Sequence, residues 1–241
     1  ITRDACDISF LTGVTSLQVN GMKNCNLTLP TSVVDLRLFS TTGVMVSGME
    51  NVTRLSVPNG STTTTPCPKL QEMSWWGGTL SAKALPCLID DVTTLSEMIV
   101  GVDRIGQGFL FPAHLLSLTL RISYGPIDTA LLTPLTRLQE LTINIGGYQD
   151  ARDLSQLSSL TKLDAHNAPV WRLPTSLVRC QVSHRRNLGF SSLTNLTSLF
   201  VSLEPGVRVT FPTGLKVLKL NGQVTNTNNS DVAWETLLSL S

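Results

Sequence analysis

Aromatic side chains make up only 5% of these 241 residues, and charged ones only 15%. A core built around large rings is therefore excluded. The 41% of hydrophobic residues, with a mean hydropathy of +0.16, must fill a core of thin, regular layers instead. A formal net charge of +1 leaves no basic stripe of the kind that nucleic acid requires. The nearest candidate, His184-Arg185-Arg186, reads as a solvated turn. No apolar run approaches the roughly 18 residues of a membrane span. No initiating Met and no secretory leader stand at the start, so the chain reads as a mature or excised fragment. Phosphate-binding loops, zinc-protease helices, nucleophile elbows and paired-cysteine redox motifs are all missing. The histidines, His114, His166 and His184, are too scattered to suggest a metal site. No cofactor and no metal are expected.

What is present is a repeat. From Leu132 to Gly147 apolar residues fall at Leu135, Leu138, Leu141 and Ile143, spaced 3, 3 and 2. Period 3 followed by period 2 describes a chain that climbs through a turn and then lays down one short strand. The third apolar position recurs at Leu17, Leu36, Leu55, Met73, Met98, Leu118, Leu141, Leu163, Cys180, Leu199 and Leu218, in steps of 17 to 25 residues. Three residues before each stands Val or Leu, and two residues after each stands an apolar residue. Steps of this size belong to solenoids, in which each unit buries its apolar face only against its neighbours. Six residues before the reference some units carry Pro, as in Leu29-Pro30, Phe111-Pro112, Leu173-Pro174 and Phe211-Pro212. Others carry an apolar residue, as at Met49, Cys67 and Leu135.

This pattern, L-x-x-L-x-x-L-x-L over residues 11–223, resembles the leucine-rich repeat family. The Leu/Phe-Pro version resembles the short repeats of bacterial effectors and of protist repeat proteins. The resemblance implies an α/β solenoid, mostly β, right-handed, with one parallel sheet of about 11 strands. The expected organisation is a single domain over 1–241, with a cap at 1–10 and the start of a further repeat or a truncated end at 224–241. The family's Asn, three residues past the last Leu, is absent. Those positions read Met22, Thr41, Gly60 and so on to Gln223, so buried backbone groups in the turns must be satisfied otherwise. The longest step, from Met73 to Met98, leaves room for a bulge or short helix around Leu80 to Asp91.

Of the five cysteines, Cys180 replaces Leu at the reference position and reads as a buried thiol. Cys6 and Cys25 each precede their reference Leu by 11 residues. That equal phase predicts a disulfide, and Cys67 with Cys87, also in adjacent turns, predicts a second. N-glycosylation sequons stand at Asn26, Asn51, Asn59, Asn195 and Asn228. Together they point to an extracellular or cell-surface protein.

In a leucine-rich repeat the residues between the inward ones pave a broad sheet face, and family members usually bind there. Among the residues that the register places outward, aromatics and arginines gather at Arg37, Phe39, Arg54, Trp76 and Arg121, with Glu72, Glu97 and Glu140 beside them, while Trp75 points inward. Aromatics and arginine dominate binding hot spots. Asp164, His166, Ser183 and Ser202 also face outward, but a flat face spaces a hydrolytic triad without enclosing it. The expectation is a non-catalytic recognition or adhesion module for a protein or glycan ligand. The alternatives are an intracellular scaffold or effector-type repeat domain and, further off, a β-helix enzyme acting on polysaccharide. The enzyme would need a charged cluster in a deep groove.

Overall fold

The computed structural model describes residues 4–58, 62–63, 66–80, 92–106, 109–124, 127–146, 152–166, 170–184, 188–203 and 209–221. The chain is a mostly-β solenoid whose main sheet has 11 parallel strands. Two compact units make it up, Ile1–Gly125 and Pro126–Ser241. Among the described residues of the first unit the sheet strands are Ser16–Asn20, Asp35–Phe39, Arg54–Pro58, Glu72–Trp76, Glu97–Val102 and Ser117–Ile122. Those of the second are Glu140–Ile145, Lys162–His166, Arg179–His184, Ser198–Leu203 and Val217–Asn221.

The repeat register of the sequence is the register of the sheet. Leu17 pairs with Leu36, Leu36 with Leu55, Leu55 with Met73, and Met73 with Met98. In the second unit Leu141 pairs with Leu163, Leu163 with Cys180, and Cys180 with Leu199. From Leu36 to Leu199 every reference residue is buried. The slot six residues earlier is filled by Pro or by an aliphatic side chain alike: Pro30, Pro112, Pro174 and Pro212 are as buried as Met49, Leu135 and Leu157. Its carbonyl closes a turn by accepting the N–H three residues on, as in Val33 N to Pro30 O at 3.2 Å and Val52 N to Met49 O at 3.1 Å. Proline lacks a donor, but the turn uses only its acceptor, so both flavours serve.

Backbone carbonyls link each repeat to the next. The carbonyl two residues before a reference position accepts two successive N–H groups from the next repeat. Val34 and Asp35 donate to Thr15, Thr53 and Arg54 to Val34, and Val178 and Arg179 to Thr161, at 2.8–3.1 Å. Side chains add to this: Asn51 Nδ2 donates to Thr31 O at 2.9 Å, and Asn195 Nδ2 donates to Thr175 O at 3.1 Å. These asparagines bridge one repeat to the one before it.

Shorter strands line a second row. Asp4–Asp7, Cys25–Thr28, Met45–Ser47 and Thr62–Thr63 form a four-stranded sheet, and the remaining short strands pair two by two. Among the described residues the α component expected from the resemblance is not seen, and the sole helical segment is the 3-10 turn Thr129–Leu131. The segment 81–91, where a bulge or helix was expected, lies outside the described residues.

Candidate functional site on the outward sheet face

The outward face is set by strand alternation. Trp75 points inward at 1% exposure and Trp76 outward at 37%. Three outward columns run across the sheet of the first unit. In one, Phe39, Pro58 and Trp76 stand on successive strands, with Pro58 opposite Trp76. Next in this column comes Gly101, opposite Trp76, and then Arg121, opposite Gly101. A Cβ on Gly101 would clash with Trp76 Cε3, so the indole occupies the place a side chain would take. Arg121 approaches from the far side, its guanidinium carbon 6.0 Å from the ring centroid, within cation–π range. Trp76 is thus seated on a neighbouring strand by glycine and flanked by arginine. Its exposed surface faces solvent from a fixed position.

Beside this row lies a charged cluster. Asp35 is 5% exposed. Its carboxylate accepts from Arg37 Nε at 3.2 Å and from an Arg37 Nη at 3.0 Å, a bidentate pair, and an Arg54 Nη stands 3.6 Å away. Hydrogen bonding to Asp35, then its charge, pushes the Arg37 guanidinium further above its ordinary value. One buried carboxylate therefore binds the Arg37 guanidinium by two hydrogen bonds and stands within ion-pair distance of the Arg54 guanidinium on the adjacent strand, both groups half-exposed. Arg37, Phe39, Arg54, Ser56, Glu72, Ser74 and Trp76 line an open depression of about 310 Å³ over Asp35.

Of the outward residues singled out in the sequence, the depression gathers Arg37, Phe39, Arg54, Glu72 and Trp76. Arg121 joins them through Trp76. Glu97 is exposed opposite Glu72 on the next strand. Glu140 belongs to the second unit and pairs with Lys162 at 2.9 Å. Sequence reading missed Asp35 and Gly101 as parts of the site. The signal for Asp35 was its place two residues before Arg37 on the same outward side of a strand. The signal for Gly101 was a glycine interrupting an outward column beside a tryptophan.

The Asp164–His166 pair of the second unit does form, at 2.9 Å, and Gln181 Nε2 stands 3.4 Å from the same ring nitrogen. Ser183 lies opposite Ser202 on the neighbouring strand. Among the described residues no serine hydroxyl engages the histidine, so the pair is an ordinary polar contact. A small depression of about 140 Å³ near Leu132, Asp153 and Leu157 carries no comparable set of groups. Among the described residues no three metal-ligating side chains converge, and no helix is long and apolar enough to cross a membrane.

The cysteines and sequons divide. Cys180 is buried in the core as expected, and burial pushes its thiol up to about 12. In the second strand row Cys6 stands opposite Leu27, while Cys25 stands opposite Asp4. The phase equality counted from the main sheet is thus offset by two residues in this row. Adjacent parallel strands would hold the two Cα atoms roughly 8 Å apart on the diagonal, beyond the span of a disulfide. Cys87, Asn59 and Asn228 lie outside the described residues. Asn26 is exposed on its strand, whereas Asn51 and Asn195 are tied into the inter-repeat bonds above.

No described protein family matches this sequence, and neither does any curated protein. Among solved structures, the chain is similar to TLR13 in the crystal structure of its ssRNA13 complex, with a TM-score of 0.54 and 16% identity. That match covers 97% of this chain and 46% of the TLR13 chain, so the chain spans about half of that protein's length. An internalin (inlF) of Listeria monocytogenes is similar over 95% of this chain and 85% of its own, at 18% identity and a TM-score of 0.44. TLR13 is a leucine-rich repeat protein, and the parallel-strand solenoid is consistent with that fold.

Proposed function

We propose that this protein is a non-catalytic recognition or adhesion module, working outside the cell or at its surface, that holds a protein or glycan ligand on the outward sheet face of residues 1–125. The observation that carries this is the pre-organised row of Phe39, Pro58 and Trp76 beside the Asp35-anchored arginines. A rigid aromatic next to a fixed guanidinium is the make-up of a binding hot spot, and groups already held in place lose little entropy on binding. The ssRNA of the TLR13 complex belongs to that protein. Here Asp35 and Glu72 balance Arg37 and Arg54 within the depression, which does not favour a polyanion.

Replacing Trp76 and Arg121 by Ala tests the reading. Capture of the ligand from the protein's natural source should fall at least about tenfold, while thermal stability moves by no more than about 0.5 kcal/mol. Unchanged capture would overturn the assignment of this face.

A second reading, an intracellular scaffold, draws support from the offset that places Cys6 opposite Leu27. A non-reducing peptide map of protein from its natural source separates the two. Linked Cys6–Cys25 and Cys67–Cys87 with occupied sequons would favour the extracellular module. Five labelled thiols and bare asparagines would favour the scaffold.

A further inference from the structure

We infer that the depression takes a neutral sugar, one pyranose ring laid against Trp76 with its hydroxyls on Arg37, Arg54 and Glu72. The inference rests on the reading of this face as a binding surface and narrows it to one ligand chemistry. Three properties of the lining lead there.

Charge comes first. Two carboxylates, Asp35 and Glu72, stand against two guanidinium groups, Arg37 and Arg54. An anionic ligand would meet Glu72, which is exposed and directly opposite Arg54 on the next strand. A cationic ligand would meet the two arginines. A neutral ligand alone meets no uncompensated charge.

The floor comes second. Apart from Leu55 it is made of hydroxyl, guanidinium and carboxylate groups, with Ser56 and Ser74 in the Arg37 column, between Arg54 and Glu72 on one side and Trp76 on the other. Arg54 reaches Asp35 only at 3.6 Å, longer than a hydrogen bond, so its donors remain available to a ligand. An apolar anchor from a protein partner would cover these groups and leave them without water or partners, at a cost of about 1–3 kcal/mol for each one stranded. A ligand that both donates and accepts around its rim would satisfy them.

The wall comes third. Phe39 and Trp76 give the depression one apolar side, and the seat on Gly101 fixes the tryptophan. A pyranose has the matching form, with hydroxyls around its edge and a C–H face that packs on an aromatic ring. The volume, about 310 Å³, sits at the small end of the roughly 300–1,000 Å³ of ligand sites. That suits one ring of a glycan chain, with the rest running out across the open face.

The experiment is saturation-transfer NMR on the intact 241-residue chain. The probes are the methyl glycosides of glucose, galactose, mannose and N-acetylglucosamine, with sialic acid, glucuronic acid and a set of acidic and aromatic peptides run in parallel. We expect transfer to at least one neutral glycoside, about a tenfold loss of it in Trp76→Ala, partial recovery in Trp76→Phe, and no change in Lys162→Ala on the second unit. Transfer only to the acidic sugars, or only to peptides, and lost in Trp76→Ala, would overturn the neutral-sugar inference and leave the face as a binding surface. Transfer that persists in Trp76→Ala, or none from any neutral glycoside, would also overturn it. Whether the wider reading then stands is decided by the separate capture experiment with the natural ligand.

Discussion

Trp75 and Trp76 are neighbours in sequence, identical in chemistry, and opposite in fate. The inward columns of the sheet carry the same apolar residue types over and over, and burial explains each of them. The outward columns share that backbone register but change chemistry from strand to strand. In the first unit they hold Phe39, Trp76 and the Asp35-anchored arginines; in the second they hold Glu140 with Lys162 and Asp164 with His166. Inward, packing leaves little choice. Outward, almost any side chain leaves the fold intact, so a fixed and unusual arrangement there calls for a reason other than stability.

The strongest test of that contrast is the tryptophan pair itself. Trp75→Ala should destabilise the chain by about 3–5 kcal/mol in chemical denaturation, because it empties a large core site. Trp75→Phe should cost much less. Among the described residues the buried Trp75 indole N–H has no partner, and removing it offsets part of the cost of the lost volume. Trp76→Ala should leave stability nearly unchanged. Similar losses from both alanines would erase the distinction between the columns.

Two glycines sharpen it further. Gly48 has φ of +80°, and a Cβ there would lie 2.8 Å from the Leu29 carbonyl oxygen of the preceding repeat. Backbone cannot move aside, so Gly48→Ala should cost about 1–3 kcal/mol by thermal or chemical unfolding. At Gly101 the added Cβ meets the Trp76 ring, which can swing away. Gly101→Ala should therefore spare the fold, unseat Trp76 and red-shift its fluorescence as the ring enters water. A large stability loss at Gly101 would make that glycine structural instead.

Cys180 tests the inward column through pH. Its folded thiol is held near 12 by burial first and by the Asp164 charge second, against an ordinary 9.0. The unfolded thiol ionises above pH 9 while the folded one stays protonated, so the unfolded state is favoured as pH rises. This residue's contribution should fall by about 1.4 kcal/mol per pH unit between pH 9 and pH 12. The difference in denaturation free energy between the wild type and Cys180→Val isolates it from other groups that titrate there. A pH-independent difference would mean the thiolate is reached by solvent in the folded chain.

The register was legible because a two-residue alternation cannot slip without turning every Leu to solvent. Even Cys180 and the adjacent tryptophans were placed by it. Which outward residues meet was less legible. Strand neighbours can be counted, but the seating of Trp76 on Gly101 and the burial of Asp35 under Arg37 depend on side-chain direction. The phase of Cys6 and Cys25 was misleading for a related reason. Counting from the main sheet assumes equal chain length to the second strand row, and the first two repeats differ there by two residues. The inter-repeat bonds were not legible either: backbone carbonyls such as Thr15 and Val34 and the side chains of Asn51 and Asn195 make them, and no repeated residue type in the sequence marks those places.

Those asparagines give the smallest effect and the finest division between edge and surface. Asn51 and Asn195 occupy the same place in their repeats, one in each unit, and each donates to a carbonyl of the preceding repeat at 2.9 and 3.1 Å. Asn51 also accepts from Lys69 Nζ at 2.6 Å. Either asparagine replaced by Ala should lose about 0.5–1.5 kcal/mol, the net value of one such bond, with Asn51 toward the upper end because its second bond joins a further repeat. Asn26 is exposed on its strand, and among the described residues no bond ties its side chain to another repeat, so Asn26→Ala should change stability by less than about 0.5 kcal/mol. The same contrast governs glycan attachment. A sugar on Nδ2 of Asn51 or Asn195 competes with the bridging bond, whereas one on Asn26 competes with nothing. Expression in a glycosylating host followed by mass analysis should find Asn26 more fully occupied than either of the others. Occupancy at Asn51 equal to that at Asn26, with no fall in melting temperature, would show that the bridge contributes nothing to holding the repeats together.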